Sequence, residues 1–519
     1  MIVAIYDVTR IQSFVFASRK MKENVGASHM VDLVLTEWLP ELLKKRYPLA
    51  KTDWQNSFVM PSANQPATIV YIGGGNAMVI YKSKDEYQKV NCCLSKKILE
   101  ETGNELQVAS AWVELTDDLS TLRKLLFANL AAGKATRAVS LPLQGIGITR
   151  ACSSDGLPTT IFEDKEYLSL PTSKKRKYAD ERKDYFEKLF SEYSFPSLLD
   201  ELGGAEGNNY ISVVHIDGNG MGSVFNEALA ACETPETWFD TMRSLSCQIN
   251  KAFLSVFSEM LETLKYIQTL PDFKEVFTVN DEGMLLRPLI VIGDDITFVT
   301  DGRLGIPLAR LFLKQLRSKS IQVGNREKKL TACAGVAIVK SHFPFYRAYK
   351  LAEELCASSK KKAKALDGND YGCWIDWHIA QGGLVNDLGA LRCKQYMVSG
   401  MGIPNIHGIT AADLPLYNLL FRPWKIGEGV YDFTQFLDLL KGFTKFPRSR
   451  WKTLRNNAIL SEDAINNCLR EMESRGHKLP SFRETREFYP SRETSNISPY
   501  FDVLETSEFY YELDMGGKP

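Results

Sequence analysis

The stretch PLIVIGDDITFVTDG, residues 288–302, holds two adjacent carboxylates, Asp294 and Asp295, between two short apolar runs, with Gly293 just before them. Apolar runs of this length with a glycine at the break read as a hairpin, its strands at 288–293 and 295–300 and the aspartates at the bend. Two negative charges side by side, where a strand should bury itself, disfavour each other's ionisation.

Working outward, YISVVHI (210–216) reads as a buried strand ending at Asp217. DGNGMG (217–222) is a glycine-rich turn into a helix that begins near Ser223 and continues to about Lys265. After the hairpin come a helix over 303–317, a strand over 329–339 (KLTACAGVAIV), a helix over 344–365 and a last strand over about 371–377. The N-terminal part has the same layout. IVAIY (2–6) is a strand, a long helical stretch runs from about Ile11 to Lys45, and ATIVYI (67–72) and AMVIY (77–81) are strands joined by Gly73, Gly74, Gly75 and Asn76. A helix over 84–101, a strand over 107–115 and a helix over 118–133 complete it. This order is the split βαβ, ferredoxin-like arrangement, present twice.

Four regions are therefore expected in an α+β chain: a ferredoxin-like domain at 1–149, a connector at 150–208, a second ferredoxin-like domain at 209–389 and a C-terminal helical domain at 390–519. The connector is polar and carries the charge run KKRKYADERKDYFEK (174–188), which reads as an exposed, solvated helix. FTKFPRSRWKTLR (443–455) gives the C-terminal region a locally basic stretch.

The bulk numbers exclude several classes. With 63 basic and 63 acidic residues in 519, the formal net charge is zero, which gives no hint of a nucleic-acid or membrane partner. No apolar run reaches the length of a bilayer-spanning helix, and the N-terminus lacks a basic leader. Ten scattered cysteines without a C-x-x-C pair are not a disulfide framework and fit a reducing cytoplasm. Six histidines and no His-Asp dipeptide make a His-rich metallohydrolase a poor fit.

In a ferredoxin-like sheet the strand ending at Asp217 lies beside the hairpin, so Asp217, Asp294 and Asp295 are expected to converge on one sheet edge. Divalent cations relieve such crowding. Mg²⁺ takes hard oxygen ligands, and two ions about 3.5–4 Å apart serve the in-line displacement of nucleotidyl transfer. Gly218, Gly220 and Gly222 leave backbone N–H groups at a helix start open to phosphate. Lys360, among Lys361, Lys362 and Lys364, offers a point charge to a β- or γ-phosphate. Each feature has a plainer reading taken singly: turn chemistry, a helix N-cap, a solvated helix end. Their order along the chain favours the functional one.

These residues resemble the large polymerase-cyclase subunit of type III CRISPR effector complexes, which contains two palm domains related to diguanylate cyclases. The resemblance is carried by IQSFVFASRKMKENVGAS (11–28) and YIGGGNAMVIY (71–81) in the first palm. In the second it is carried by VVHIDGNGMG (213–222), IGDDITFV (292–299) and AGVAIVKSHFPFYRAYKLAEELCASSKKKAK (334–364). LLFRPW (419–424) and FPRSRWKTLR (446–455) are similar to the family's closing helical domain. The resemblance implies a GGDEF-like nucleotidyltransferase that joins ATP units into a cyclic oligoadenylate, a second messenger of antiviral defence, with release of pyrophosphate. It implies Asp217, Asp294 and Asp295 as catalytic residues and two Mg²⁺ or Mn²⁺ ions held by Asp217, Ile216, Asp294 and Asp295. It implies nucleotide contacts from Gly218, Asn219, Gly220, Met221, Gly222, Gly293 and Lys360. ATP, RNA, other effector subunits and a second copy of the chain are the partners it suggests, with no membrane partner.

The chain departs from the family pattern. Ile292 stands where the hairpin usually has its first glycine, and Asn219 where a second aspartate is usual. The family's N-terminal nuclease domain with its His-Asp pair is expected to be absent. ACSSDGLP (151–158) resembles the remnant of a zinc-binding cluster in which only Cys152 remains, so no structural zinc is expected. These departures keep open a second reading, a palm-domain scaffold subunit without cyclase activity. A template-directed polymerase is a third, disfavoured by the lack of polymerase-sized fingers and thumb.

Overall fold

The computed structural model describes residues 1–18, 20–56, 58–62, 64–136, 145–190, 193–196, 202, 209–278, 283–368, 371–380, 387–399, 416–489 and 497–513. The N-terminal domain opens with β1 (Ile2–Thr9), followed by α1 (Ile11–Val15), α2 (Met21–Leu33), a π-helical turn over Val34–Trp38 and α3 (Leu39–Arg46). The continuous helix expected over 11–45 is thus broken. Arg10, in the left-handed region at φ 59°, starts α1, and Phe16 leaves helical geometry, so the chain restarts at Met21. The hairpin strands β2 (Ala67–Gly73) and β3 (Asn76–Tyr81), α4 (Lys84–Thr102), β4 (Gln107–Glu114) and α5 (Leu119–Thr136) follow. The strands form an antiparallel sheet of order β2-β3-β1-β4.

The connector carries the short hairpin β5 (Ile161–Glu163) and β6 (Glu166–Leu168), then α6 (Leu170–Leu189). The charge run on α6 is not the fully solvated face expected. Tyr178, Ala179 and Phe186 are buried, and α6 packs tightly on α2, where a Cβ at Gly26 would lie 1.6 Å from the Lys175 carbonyl oxygen. Lys175 is itself buried against Glu105, and Arg176 reaches the fully buried Glu23 at 2.9 Å. The charges pair inward because only small residues fit where the two helices touch. Cys152 is buried and bonded to the Thr172 hydroxyl.

The second domain runs β7 (Tyr210–Gly218), α7 (Met221–Leu229), α8 (Pro235–Gln268), α9 (Pro271–Val276), β8 (Leu286–Ile292), β9 (Asp295–Asp301) and α10 (Gly305–Leu316). It continues with β10 (Ser320–Val323), β11 (Arg326–Lys329), β12 (Ala332–Lys340), α11 (Phe345–Asp367) and β13 (Cys373–Ile379). The single helix expected from Ser223 to Lys265 is two. Thr234 caps a fresh start and Pro235 at the first helical position cannot continue α7. The strand expected from 329 begins at Ala332, because Arg326–Lys329 turns back on Ser320–Val323 as a small hairpin around Gly324.

The C-terminal region holds α12 (Leu388–Tyr396), β14 (Met397–Ser399), β15 (Leu416–Asn418), β16 (Trp424–Ile426), α13 (Phe433–Phe443), α14 (Arg448–Leu460), α15 (Glu462–Ser474) and α16 (Tyr500–Thr506). It is helical with two additions the sequence reading lacked: β14 and β15 pair as a small antiparallel sheet, and β16 pairs with β13 and extends the second sheet to the order β16-β13-β12-β7-β9-β8. Within it, β8-β9-β7-β12 repeats the order of the first sheet, and β13 adds on parallel to β12 through α11. No described helix is long and apolar enough to cross a membrane.

Alternation along β7 explains its unbroken apolar run. Val214 and Ile216 enter the core shared with α8 and the C-terminal helices, while Ile211 and Val213 enter the core shared with the N-terminal domain. Both faces of the strand are buried, so both parities are apolar. Asp217 ends it on the face of Val213, toward the N-terminal domain.

Candidate active site between the two sheets

The sheet places the carboxylates by register. Asp217 pairs across β7 and β9 with Asp295, and His215 pairs with Thr297 two residues back on the same face. Ile292 pairs with Asp295 across the hairpin, leaving Gly293 and Asp294 as a two-residue turn in which only Gly293 has positive φ, at 61°. That is the pattern of a II′ turn, which needs glycine first and accepts an ordinary residue second. Asp294 therefore occupies a position any L-residue can take.

Gly218 is required by contact. Its N–H donates to the Asp294 carbonyl at 3.2 Å, and a Cβ there would lie 2.8 Å from both Asp294 Cβ and Oδ2. Gly335 has the matching role under α11: a Cβ would lie 2.0 Å from the Ala352 carbonyl oxygen. The helix lies flush on β12 and brings Tyr349, Glu353 and Lys360 over the carboxylate end of the sheet. Lys360 Nζ donates to Asp217 Oδ2 and, at 3.0 Å, to the Gly218 carbonyl. So the lysine expected to meet a triphosphate stands on an aspartate.

The other wall is the N-terminal domain. A cleft of about 330 Å³ lies between Gly73, Gly74 and Gly75 of the first hairpin and Asp217, Asp294 and Asp295 of the second. The turns nearly touch, since a Cβ on Gly293 would be 3.4 Å from the Gly74 nitrogen. Ser28 of α2 donates to the Leu289 carbonyl at 2.6 Å, and Gln12 of α1 bonds Glu353 of α11. Phe16 stacks on Tyr349 with ring centroids 4.0 Å apart. Both walls come from one chain.

Residues 210–369 match the family model described as the second palm domain of Cas10/Cmr2. This segment is therefore similar to a Cas10/Cmr2 second palm domain. Solved structures similar to the chain include Csm1 from T. onnurineus, at 14% identity over 98% of this chain and 69% of that one, with a TM-score of 0.49. A Csm1-Csm4 cassette in complex with pppApA matches at 13% identity over 98% and 69%, TM-score 0.47. One in complex with cA4 matches at 15% identity over 70% of this chain, TM-score 0.42. In that last match the chain spans 53%, about half, of the solved chain's length. No curated protein matches.

Electrostatics in the palm cleft follow from crowding. Burial, then the Asp217 charge, pushes the Asp294 carboxyl up to about 6. The same two causes, joined by Asp294, raise Asp295 well above the carboxylate range. Asp295 Oδ1 is buried without a hydrogen-bond partner. His215 Nδ1 lies 3.4 Å from that oxygen but only 3.1 Å from the Thr297 hydroxyl. Burial holds the imidazole down to about 4, so it is neutral and supplies no counter-charge. An orphaned carboxylate oxygen beside two further carboxylates fits a divalent cation. Among the described residues no group of three or more His, Cys, Asp or Glu is already arranged as a metal cage, which agrees with Lys360 standing on Asp217.

The remaining expected residues divide. Ile292 lines the cleft where Gly73 stands in the first palm, and it packs against the N-terminal core. Ile216 has its side chain fully buried in the opposite core. Asn219 does not face the carboxylates: its Nδ2 donates to the Gly372 carbonyl at 3.0 Å and its N–H to the Thr331 carbonyl at 2.9 Å. Gly220 starts α7 at φ 64°, and Met221 and Gly222 form its first turn. Sequence reasoning missed His215, Tyr349, Glu353, Gln12 and Asn250, whose Oδ1 accepts from Gly293 N–H at 3.1 Å. His215 had a signal, the two-residue spacing to Asp217 on one strand. The others come from distant helices.

Proposed function

We propose that the chain is a metal-dependent nucleotidyltransferase that converts ATP into a cyclic oligoadenylate or another cyclic nucleotide, within CRISPR-type defence. The observation that carries this reading is the Asp217–Asp295 register pair with Asp294 beside it, at the edge of a cleft closed by the other palm's glycine turn. In this reading Asp217, Asp294 and Asp295 hold two Mg²⁺ or Mn²⁺ ions, with the Ile216 position completing the set. The bound ions supply charge neutralisation and activation of the attacking hydroxyl. Gly218, Gly220, Met221 and Gly222 give phosphate a close backbone approach, Gly293 lets the turn meet the opposite palm, and Lys360 moves from Asp217 to the phosphates. Asn219 acts by holding the turn to Thr331 and Gly372. Neutral His215 fixes the Asp295 side of the site without competing for metal. The proposed partners are ATP, with RNA and other effector subunits as the activating context. One chain supplies both walls, so the reading does not need a homodimer.

Beside the sequence departures at Ile292 and Asn219, the scaffold reading has one structural observation in its favour, the Lys360 ammonium on Asp217. Purified protein incubated with ATP and Mg²⁺ or Mn²⁺, with and without RNA, and resolved by mass spectrometry separates the two. A cyclic or linear adenylate absent from the Asp294→Asn variant supports the transferase. No product under any condition, with RNA or subunits retained on purification, supports the scaffold.

A further inference from the structure

On the far side of the 217–221 turn from the carboxylates lies a second cleft, of about 760 Å³. Five cations line it: Lys314 and Arg317 at the end of α10, Lys328 and Lys329 on β11, and Lys425 on β16. The one carboxylate in the lining, Glu327, is bonded to the Ser320 hydroxyl. Lys425 is paired with Asp367, and Lys328 lies 3.4 Å from Glu227. Lys314, Arg317 and Lys329 have no ion-pair partner among the described residues. In a chain of zero net charge such a concentration of one sign focuses the field on an anion.

The turn itself adds donors. Gly220 begins α7 without a side-chain cap, and no acidic residue lies in the first turn. Ser223 and Val224 N–H donate to the Gly220 carbonyl at 2.9 and 3.1 Å, so the open donors of this helix start are those of Met221 and Gly222. A Cβ on Gly222 would meet nothing within 4 Å, so the backbone there is open. Met221 lines this cleft and also a small cavity of about 200 Å³ that ends at Asp294. Asp217 and Gly220 are three residues apart, at most about 11 Å of chain, so one nucleotide reaches both sides.

We propose that the Lys314–Arg317–Lys329 cleft binds a polyphosphate chain, either the β- and γ-phosphates of the nucleotide held at the carboxylates or the pyrophosphate they become. This deepens the nucleotidyl-transfer reading and rests on it only for the origin of the anion. The cations converge from three elements on one helix start, which suits a compact, multiply charged ligand. A nucleic-acid strand would want a longer stripe and open aromatic faces. The one aromatic in the lining, Tyr371, is packed 3.3 Å from the position of a Gly220 Cβ.

The test is calorimetric titration of tripolyphosphate, pyrophosphate and ATP into the full chain, first in EDTA and then in Mg²⁺. The variants are Arg317→Glu with Lys329→Glu, both exposed positions, and Asp294→Asn. The double charge reversal is expected to weaken tripolyphosphate at least tenfold, with Asp294→Asn unchanged in EDTA. Loss of both ATP and pyrophosphate affinity identifies the triphosphate tail as the occupant; loss of pyrophosphate alone identifies the leaving group. Wild-type affinity for all three ligands in the charge-reversed protein overturns the proposal. Tripolyphosphate binding that the double variant loses, in a protein that makes no nucleotide product, would sink the transferase reading and leave the cleft standing.

Discussion

Asp7 and Asp217 hold the same place in the two palms. Asp7 pairs in register with Asn76, the residue after the first hairpin turn, as Asp217 pairs with Asp295 after the second. The likeness extends to the cation. Lys134 is the sixteenth residue of α5 and Lys360 the sixteenth of α11, and each sits on its own aspartate, Lys134 at 2.7 Å from Asp7. The first palm thus keeps one carboxylate and its lysine and lacks the two acidic hairpin positions. Its turn differs for a backbone reason. Gly74 and Gly75 both have positive φ, 57° and 75°, the I′ pattern, so an aspartate in place of Gly75 would be strained where Asp294 is not.

Gly218→Ala tests whether that acidic turn depends on close approach. The added Cβ has no room beside Asp294, so either the turn or the carboxylate must shift. We expect a stability loss of about 1–3 kcal/mol and a much larger effect, roughly a hundredfold or more, on product formation. Thermal melts and product assays on the same preparation check it. Unchanged activity would mean that Asp294 is not needed where the structure puts it.

The raised Asp294 carboxyl sets a pH dependence in metal-free protein. Its folded value, about 6, lies above the unfolded value near 3.9, so the folded state binds the proton more tightly. Its contribution is a destabilisation that is full above pH 6 and fades as pH falls toward 4. Asp294→Asn removes it, so in EDTA at pH 7.5 the variant is expected to be more stable than wild type by about 1 kcal/mol after allowance for solvent screening. The difference should vanish near pH 4. Added Mg²⁺ should stabilise wild type and not the variant. His215 acts in the opposite sense, losing stability as pH falls toward 4, but it is common to both proteins and cancels in the comparison.

Much of this site is legible in the sequence because strands write their registers locally. Asp217 closes an apolar run and Asp294–Asp295 interrupt one, so pairing the second hairpin strand, β9, with β7 brings them together by topology alone. What is not legible comes from elements far apart in the chain. Gln12, Tyr349 and Glu353 meet only because Gly335 lets α11 lie on β12 while α1 crosses from the other palm. The β10–β11 hairpin escapes notice because REKK carries no apolar alternation. Lys175 and Arg176 look solvated in a charge run, yet they turn inward where Gly26 admits the helix.

Arg243 of α8 ties the palms together from behind the cleft. Its guanidinium donates to the carbonyls of Val70 at 2.9 Å, Asn56 at 2.9 Å and Ile69, beside the irregularity in β2 between Ile69 and Tyr71. Replacing it with Met removes the guanidinium from the buried carbonyls of Ile69 and Val70, at a cost of about 3 kcal/mol. Hydrogen exchange should report faster opening of β2 and β3 than of β7 and β9. Uniform loss of protection in both sheets would show that the palms unfold as one unit.

Lys360 separates the transferase from the scaffold. Without nucleotide its ammonium competes with a cation for Asp217; burial disfavours its charge, but the attraction and hydrogen bond of Asp217 outweigh that and raise its affinity for the proton above that of an ordinary lysine. If it later serves phosphate, Lys360→Gln has opposite effects on two ligands. Removing the competing charge should strengthen Mn²⁺ binding without nucleotide, by about fivefold for a partly exposed pair worth roughly 1 kcal/mol. Removing the phosphate contact should raise the KM for ATP by a similar or larger factor. Electron paramagnetic resonance of Mn²⁺ reads the first and initial rates the second. A structural pin would behave otherwise: its loss would free Asp217 to move, weaken the cation and leave KM untouched.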